Sequence, residues 1–202
     1  MIYLKLYDKE FFNFIIEFGD IINHPKYKLL KYEDHHGTNR YDHSLRVGIN
    51  VYKFCRYYNI DYIDITKAAL LHDFFFDNEL RDANISSSLL EHPKYAIINS
   101  KKYFNVNKQI CDMISTHMYP VTIERPKTRG GVIVSSIDKM VSTKEFCKYR
   151  ITPLGKLDLG YIDLDSIYKG RFKEKDIFRL LNNYDININY NNFIYNKYLI
   201  KR

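Results

Sequence analysis

The stretch Leu70-Leu71-His72-Asp73-Phe74-Phe75-Phe76 sets a histidine and an aspartate side by side between two apolar runs. Upstream of it, Ile65, Ala68, Ala69 and His72 recur at the three- and four-residue spacing of one helical face, and Asp61 or Asp64 can cap that helix. A carboxylate carried into such a segment is costly to bury unless a cation or a metal pairs with it. Neighbouring residues on a helix point about 100° apart, so the doublet does not line one face. Asp73 can instead reach across and bridge two ions while His72 binds one.

Working outward, further metal-ligand residue types fall at similar places. Tyr41 opens a helix whose stripe is Leu45, Ile49 and Tyr52, with His43 in its first turn. Pro93 fits a first helical position for a run reaching Phe104, which puts His92 at a helix entrance. Asn107 can cap a helix carrying Ile110, Ile114 and His117 on one stripe. Residues 119–131, with Pro120, Pro126 and Gly130-Gly131, read as a long basic loop. A last core helix follows with Val134, Ile137, Asp138 and Val141, in which Asp138 interrupts the apolar stripe. His43, His72, Asp73, His92, His117 and Asp138 thus form a candidate ligand set of imidazole nitrogens and carboxylate oxygens. Such a set suits divalent iron, manganese, nickel or zinc, and its lack of Cys argues against a structural zinc site.

The pieces YDHSLRV, LLHDFFF, LEHPKYA, ISTHMYP and SSIDKMV resemble, in order and spacing, the HD superfamily of metal-dependent phosphohydrolases over roughly residues 38–145. The doublet has a His twenty-nine residues before it and an Asp sixty-five after it. His92 and His117 resemble the extra ligands of two-metal branches, and the spacing of the last three ligands is most similar to the bacterial diadenosine tetraphosphate hydrolases. The resemblance implies an all-α, single-domain helical bundle in residues 1–150, with residues 151–202 as a C-terminal extension. It also implies one ion on His43, His72, Asp73 and Asp138 and a second on Asp73, His92 and His117, about 3.5–4 Å apart as in two-metal phosphatases. The implied reaction is hydrolysis of a phosphate ester or anhydride by a metal-activated hydroxide. Asp73, Arg46, one turn from His43, and Lys139, next to Asp138, are the catalytic residues expected for it. The implied substrate is a nucleotide or dinucleotide polyphosphate. HD-GYP enzymes carry Gly-Lys after the doublet, where this chain has Phe74-Phe75-Phe76-Asp77, so cyclic-di-GMP cleavage is disfavoured. The aromatic run suggests an apolar wall able to stack a base or shield the site.

Two other function classes share the ligand set. One is a mixed-valence di-iron oxygenase, whose branches add a gating Tyr and Glu upstream of the first His; Tyr32 and Glu33 do not match that spacing. The other is a metal-stabilised regulatory module without turnover.

The remaining residues have blander readings. Arg46, one turn from His43, can meet a substrate phosphate or a nearby carboxylate equally well. Lys94, Arg125, Lys127 and Arg129 read mostly as solvated loop cations. His35 and His36 fall in a polar stretch, residues 24–40, and read as solvent-exposed imidazoles; His24, ahead of Pro25, is assigned no role. Cys55, Cys111 and Cys147, odd in number and far apart, read as reduced, buried thiols.

With 202 residues, 46% of them apolar, the chain supports one full core and is not disordered as a whole. The net charge of +7 favours anionic partners such as a phosphorylated small molecule, but no Lys/Arg run or nucleic-acid motif accompanies it. No secretory leader or long apolar span is visible, so a cytoplasmic protein without membrane partners is expected. Residues 5–23 read as a first helix. Beyond Arg150 a linker-like stretch, a helix at 174–183 and an Asn/Tyr/Ile tail are expected, the tail being a strand, a helix or a homodimerisation arm.

Overall fold

Helix α4 (Arg40–Tyr57) is the axis of the described structure, and its start is set by Asn39, whose side chain accepts from the Asp42 amide. The computed structural model describes residues 9–35, 38–82 and 88–147. Ahead of α4 come α1 (Lys9–Glu17), α2 (Gly19–Ile22), α3 (Pro25–Lys28), a 3-10 turn (Leu29–Tyr32) and the antiparallel strands β1 (Asp34–His35) and β2 (Thr38–Asn39). After it come α5 (Ile63–Leu71), α6 (Asp77–Asp82), α7 (Ser88–Tyr103), α8 (Lys108–Ser115) and α9 (Arg129–Phe146). The all-α reading holds: the only sheet among the described residues is that two-stranded hairpin.

α5 packs against α4, α8 and α9, so it forms the centre of the core. The packing is close because small residues allow it. A Cβ on Gly48 would meet Leu70 Cδ2 at 2.8 Å, and one on Gly130 would meet Met113 Sδ at 2.6 Å and Ile65 Cγ1 at 2.9 Å. Buried Leu70, Leu71, Val47, Val51, Ile114 and Val134 fill the space between these helices. No described helix is long and apolar enough to cross a membrane.

Several local expectations are corrected. The helix expected over 5–23 is broken at Phe18, whose φ of −112° and ψ of 17° leave helical geometry ahead of Gly19. The described residues of the 24–40 stretch, 24–35 and 38–40, are largely helical turns and paired strands, and buried Tyr27 anchors them by donating its hydroxyl to the Leu70 carbonyl at 2.7 Å and packing on Phe74. Pro93 lies inside α7, where it denies the Leu89 carbonyl its usual helical partner, so His92 sits within a helix rather than at its entrance. Arg129, Gly130 and Gly131 belong to the first turns of α9, capped by the Thr128 hydroxyl, which accepts from the Gly131 amide at 3.0 Å. Cys55 and Cys111 are buried thiols, but Cys147, just past α9, is exposed. Asn107 does cap α8, accepting from the Ile110 amide at 2.9 Å. His36, the C-terminal extension at 151–202 and the helix at 174–183 lie outside the described residues.

Candidate metal centre

The six candidate ligands arrive from five places in the chain. α4 brings His43 in its first turn, and the end of α5 brings His72 and Asp73. α7 brings His92, the turn after α8 brings His117, and the middle of α9 brings Asp138. All six are buried.

Their ligating atoms form two adjoining clusters that share one carboxylate, and His117 of the second also lies within 4.8 Å of His72 and Asp138 of the first. In the first, His43 Nε2 lies 3.1 Å from Asp138 Oδ1 and 3.3 Å from His72 Nε2, and His72 Nε2 lies 3.5 Å from Asp138 Oδ1. In the second, His92 Nε2 and His117 Nε2 are 3.0 Å apart, at 3.3 and 3.7 Å from Asp73 Oδ1. The other oxygen of Asp73, Oδ2, faces His72 Nε2 at 3.7 Å. Asp73 therefore spans the two clusters, one oxygen to each.

The outer nitrogens determine what the inner ones present. His43 Nδ1 donates to Glu145 Oε2 at 2.8 Å, His72 Nδ1 to the Ala69 carbonyl at 2.7 Å, and His117 Nδ1 to the Ile114 carbonyl at 2.7 Å. A carbonyl or carboxylate only accepts, so these three Nδ1 atoms carry the hydrogen. In the neutral ring the Nε2 lone pair then points inward, which is the arrangement of metal-bound imidazoles. Lone pairs converging at 3.0–3.5 Å with two carboxylates repel one another unless a cation sits among them, so the donor set fits divalent metal ions.

Electrostatics without a cation tell the same story. Burial alone would lower His43, but its bonds to Asp138 and Glu145 outweigh this and raise it to about 10. Burial, reinforced by His72 and His92, pushes His117 down to about 3. Burial would raise Asp73, yet His72, His92 and His35 hold it well below the carboxylate range. Asp138 is held down by His43 and His72 against the same burial penalty. Positive charge is drawn to the His43–Asp138 cluster and to Asp73.

Other predicted residues are placed less directly. Arg46 meets a carboxylate, donating to Glu145 Oε1 at 2.6 Å and to Thr38 Oγ1 at 3.2 Å. Lys139, half-buried and lowered by desolvation, donates to the His117 carbonyl at 2.7 Å and to Ser135 Oγ at 3.0 Å. Lys94, Arg125, Lys127 and Arg129 are exposed, as expected of solvated cations. The aromatic run shields the centre, but its rings are core: Phe74, Phe75 and Phe76 are buried, Phe74 among Tyr27, Tyr103 and Phe104. A base-stacking surface is not what they present.

Three residues escaped the sequence reading. Glu145 is buried behind His43, and its spacing of seven from Asp138 on one helix face was the available signal. Arg40, three residues before His43, is 6% exposed and bonds Glu33, Asp77 and the Phe75 carbonyl while its guanidinium lies 3.8 Å over the Phe75 ring. Phe75 in turn lies against His92, ring centres 5.0 Å apart, so Arg40 braces the wall behind the second cluster. His35, read as a solvent-exposed imidazole outside the pattern, is drawn into the centre: its Nδ1 is 3.6 Å from Asp73 Oδ2 and its ring centre 4.0 Å from that of His43. The hairpin folds it inward, which no periodicity signals.

A family model described as "HD domain" matches residues 40–142, the span holding all six candidate ligands. Comparisons with curated proteins and with solved structures returned no match.

Proposed function

The chain belongs to the HD domain family, whose members are mostly metal-dependent hydrolases, and on that premise we propose that it is a two-metal phosphohydrolase acting on a nucleotide or dinucleotide polyphosphate. The observation that carries the two-metal reading is Asp73, with Oδ1 toward His92 and His117 and Oδ2 toward His72. His43, His72, Asp138 and Asp73 Oδ2 would hold one ion; Asp73 Oδ1, His92 and His117 would hold the other. When bound, such a pair supplies Lewis acidity toward a phosphoryl oxygen and brings the pKa of a water close to neutrality.

The protein's share is orientation and exclusion of water. Glu145 and the Ala69 and Ile114 carbonyls lock three rings with Nε2 inward, so that little reorganisation is needed when charge develops. Buried Phe74 and Phe75 lower the local dielectric behind Asp73 and His92, which strengthens every charge interaction there. Lys139 fixes the His117 turn onto α9. The choice of nucleotide polyphosphates rests on the spacing of His92, His117 and Asp138 and on the +7 net charge, which favours a polyanion. The test is phosphate release from a panel of nucleotides, dinucleoside polyphosphates, sugar phosphates and simple phosphate esters. Manganese, iron, nickel and magnesium are compared in parallel. Release from a dinucleoside polyphosphate above the other substrates supports the reading, and no release from any substrate with any metal refutes it.

A further inference from the structure

His35 differs from the six converging residues in how its ring is arranged. The converging rings have centres 5.3 Å (His43–His72), 4.9 Å (His72–His117) and 5.0 Å (His92–His117) apart. Two imidazoles at right angles on one ion, with metal–nitrogen bonds of about 2.1 Å, would have centres roughly 4.5 Å apart. His35 lies closer to His43, at 4.0 Å with planes tilted by 35°, so the two rings overlap more closely than two rings at right angles on one ion. His35, His43 and Glu145 do bring ligand atoms within 4.8 Å of one another, and the metal content of His35 variants separates a ligand role from a donor role. Its side chain is also the most open of the group, 17% exposed against 9% or less for the six.

The chain holds His35 there by construction. Its strand pairs with β2 in a fixed register, His35 opposite Thr38. The Arg40 amide donates to the Glu33 carbonyl at 3.0 Å, and Arg46 donates to the Thr38 hydroxyl at 3.2 Å, so α4 fastens both sides of the hairpin. Arg46 and Lys139, the cations expected to meet a phosphate, already donate to Glu145 and Thr38, and to His117 and Ser135. His35 Nδ1 stands 3.6 Å from Asp73 Oδ2, so a phosphoryl oxygen arriving beside that carboxylate meets the same edge of the ring, and an imidazole offers a ring N–H in either charge state.

We propose that His35 is a substrate-contacting residue that donates a ring N–H to a phosphoryl oxygen at the Asp73 side of the centre; this rests on the phosphohydrolase reading above. The test uses the full-length, metal-loaded protein and the variants His35→Ala, His35→Phe and His35→Gln. Inorganic phosphate binding is measured by calorimetry, metal content by elemental analysis, and kcat and KM on a hydrolysed substrate from the panel. His35→Ala and His35→Phe are expected to keep the wild-type metal content and bind phosphate about tenfold more weakly, the scale of one charge-assisted hydrogen bond. His35→Gln is expected to recover part of that loss. Wild-type phosphate affinity in His35→Phe would overturn the proposal, since that variant keeps the ring overlap and loses the donor. Loss of an ion in His35→Ala would overturn it in favour of a ligand role. A wild-type protein that hydrolyses esters while His35→Phe is unaffected removes the role of His35 alone; a wild-type protein that neither binds phosphate nor hydrolyses any ester removes the phosphohydrolase reading as well.

Discussion

Glu145 accepts the Nδ1 hydrogen of His43 at 2.8 Å, joining residues 102 positions apart at the back of the first cluster. Its second oxygen accepts from Arg46 at 2.6 Å, and both interactions hold this carboxyl below its usual range against a burial penalty that would raise it. A carboxylate behind an imidazole fixes the tautomer and makes the inward nitrogen a better ligand. Glu145→Ala is therefore expected to weaken binding of one ion by about 10–100-fold, the scale found for such supporting partners. Glu145→Gln, whose amide oxygen still accepts, should lose less. Chelator-competition titrations decide it, and an unchanged affinity in Glu145→Ala would mean that His43 keeps its orientation without a carboxylate behind it.

Asp73 and His117 should differ in how many ions they control. Asp73 directs one oxygen to each cluster, whereas His117 Nε2 is nearest to His92 and Asp73 in the second and lies only at the edge of the first, within 4.8 Å of His72 and Asp138. Asp73→Ala is expected to retain little of either ion, and His117→Ala to retain one. Elemental analysis of folded protein separates the cases. Equal loss in the two variants would contradict the bridging role of Asp73.

The visibility of the centre in the sequence followed its periodicity. Asp73 and Asp138 stood out because each interrupts an apolar stripe, and His117 because it continues the stripe of Ile110 and Ile114. Glu145 was hidden because a glutamate in the last turns of a helix is ordinarily solvated, and only the packing of α9 on α4 buries it. His35 was hidden for a different reason. Its position depends on a two-residue pairing with Thr38 and on the Arg46 contact to that threonine, which are tertiary facts with no repeating signature. Pro93 misled in the opposite direction, since the first-turn preference of proline is strong and its placement inside α7 is the exception.

Metal uptake should strengthen as pH rises. Without a cation, His43 is held up to about 10 by Asp138 and Glu145 despite burial, so its ring carries a proton at neutral pH that an ion must displace. The proton is bound in the metal-free state and absent in the loaded one, so apparent affinity rises with pH until about 10. The same proton stabilises the metal-free fold: that contribution is complete below the ordinary value of 6.5 and disappears as pH passes through about 10. Calorimetry in buffers of different ionisation enthalpy counts the protons released. A first ion that binds without proton release between pH 7 and 8 would show that His43 is already neutral in the metal-free protein, as an imidazole in its ordinary range would be.

The close approach of α9 to α5 and α8 gives a prediction about stability that is independent of metal. A Cβ at Gly130 would stand 2.6 Å from Met113 Sδ and 2.9 Å from Ile65 Cγ1, and Met113 and Ile65 are themselves buried. The methionine end can swing aside, but the isoleucine branch is stiffer at its root and must move with α5. Replacing a helical glycine by alanine gains about 1 kcal/mol in propensity, which offsets part of the clash. Gly130→Val adds two further methyl groups to the same gap and is itself a poorer helix former, so overpacking dominates and a loss of about 1–3 kcal/mol is expected. Thermal melts of metal-free Gly130→Ala and Gly130→Val should rank the valine variant clearly lower. If both melt with the wild type, α9 can shift away from Ile65 without cost, and the spacing of Asp138 from His43 and His72 is not set by this contact.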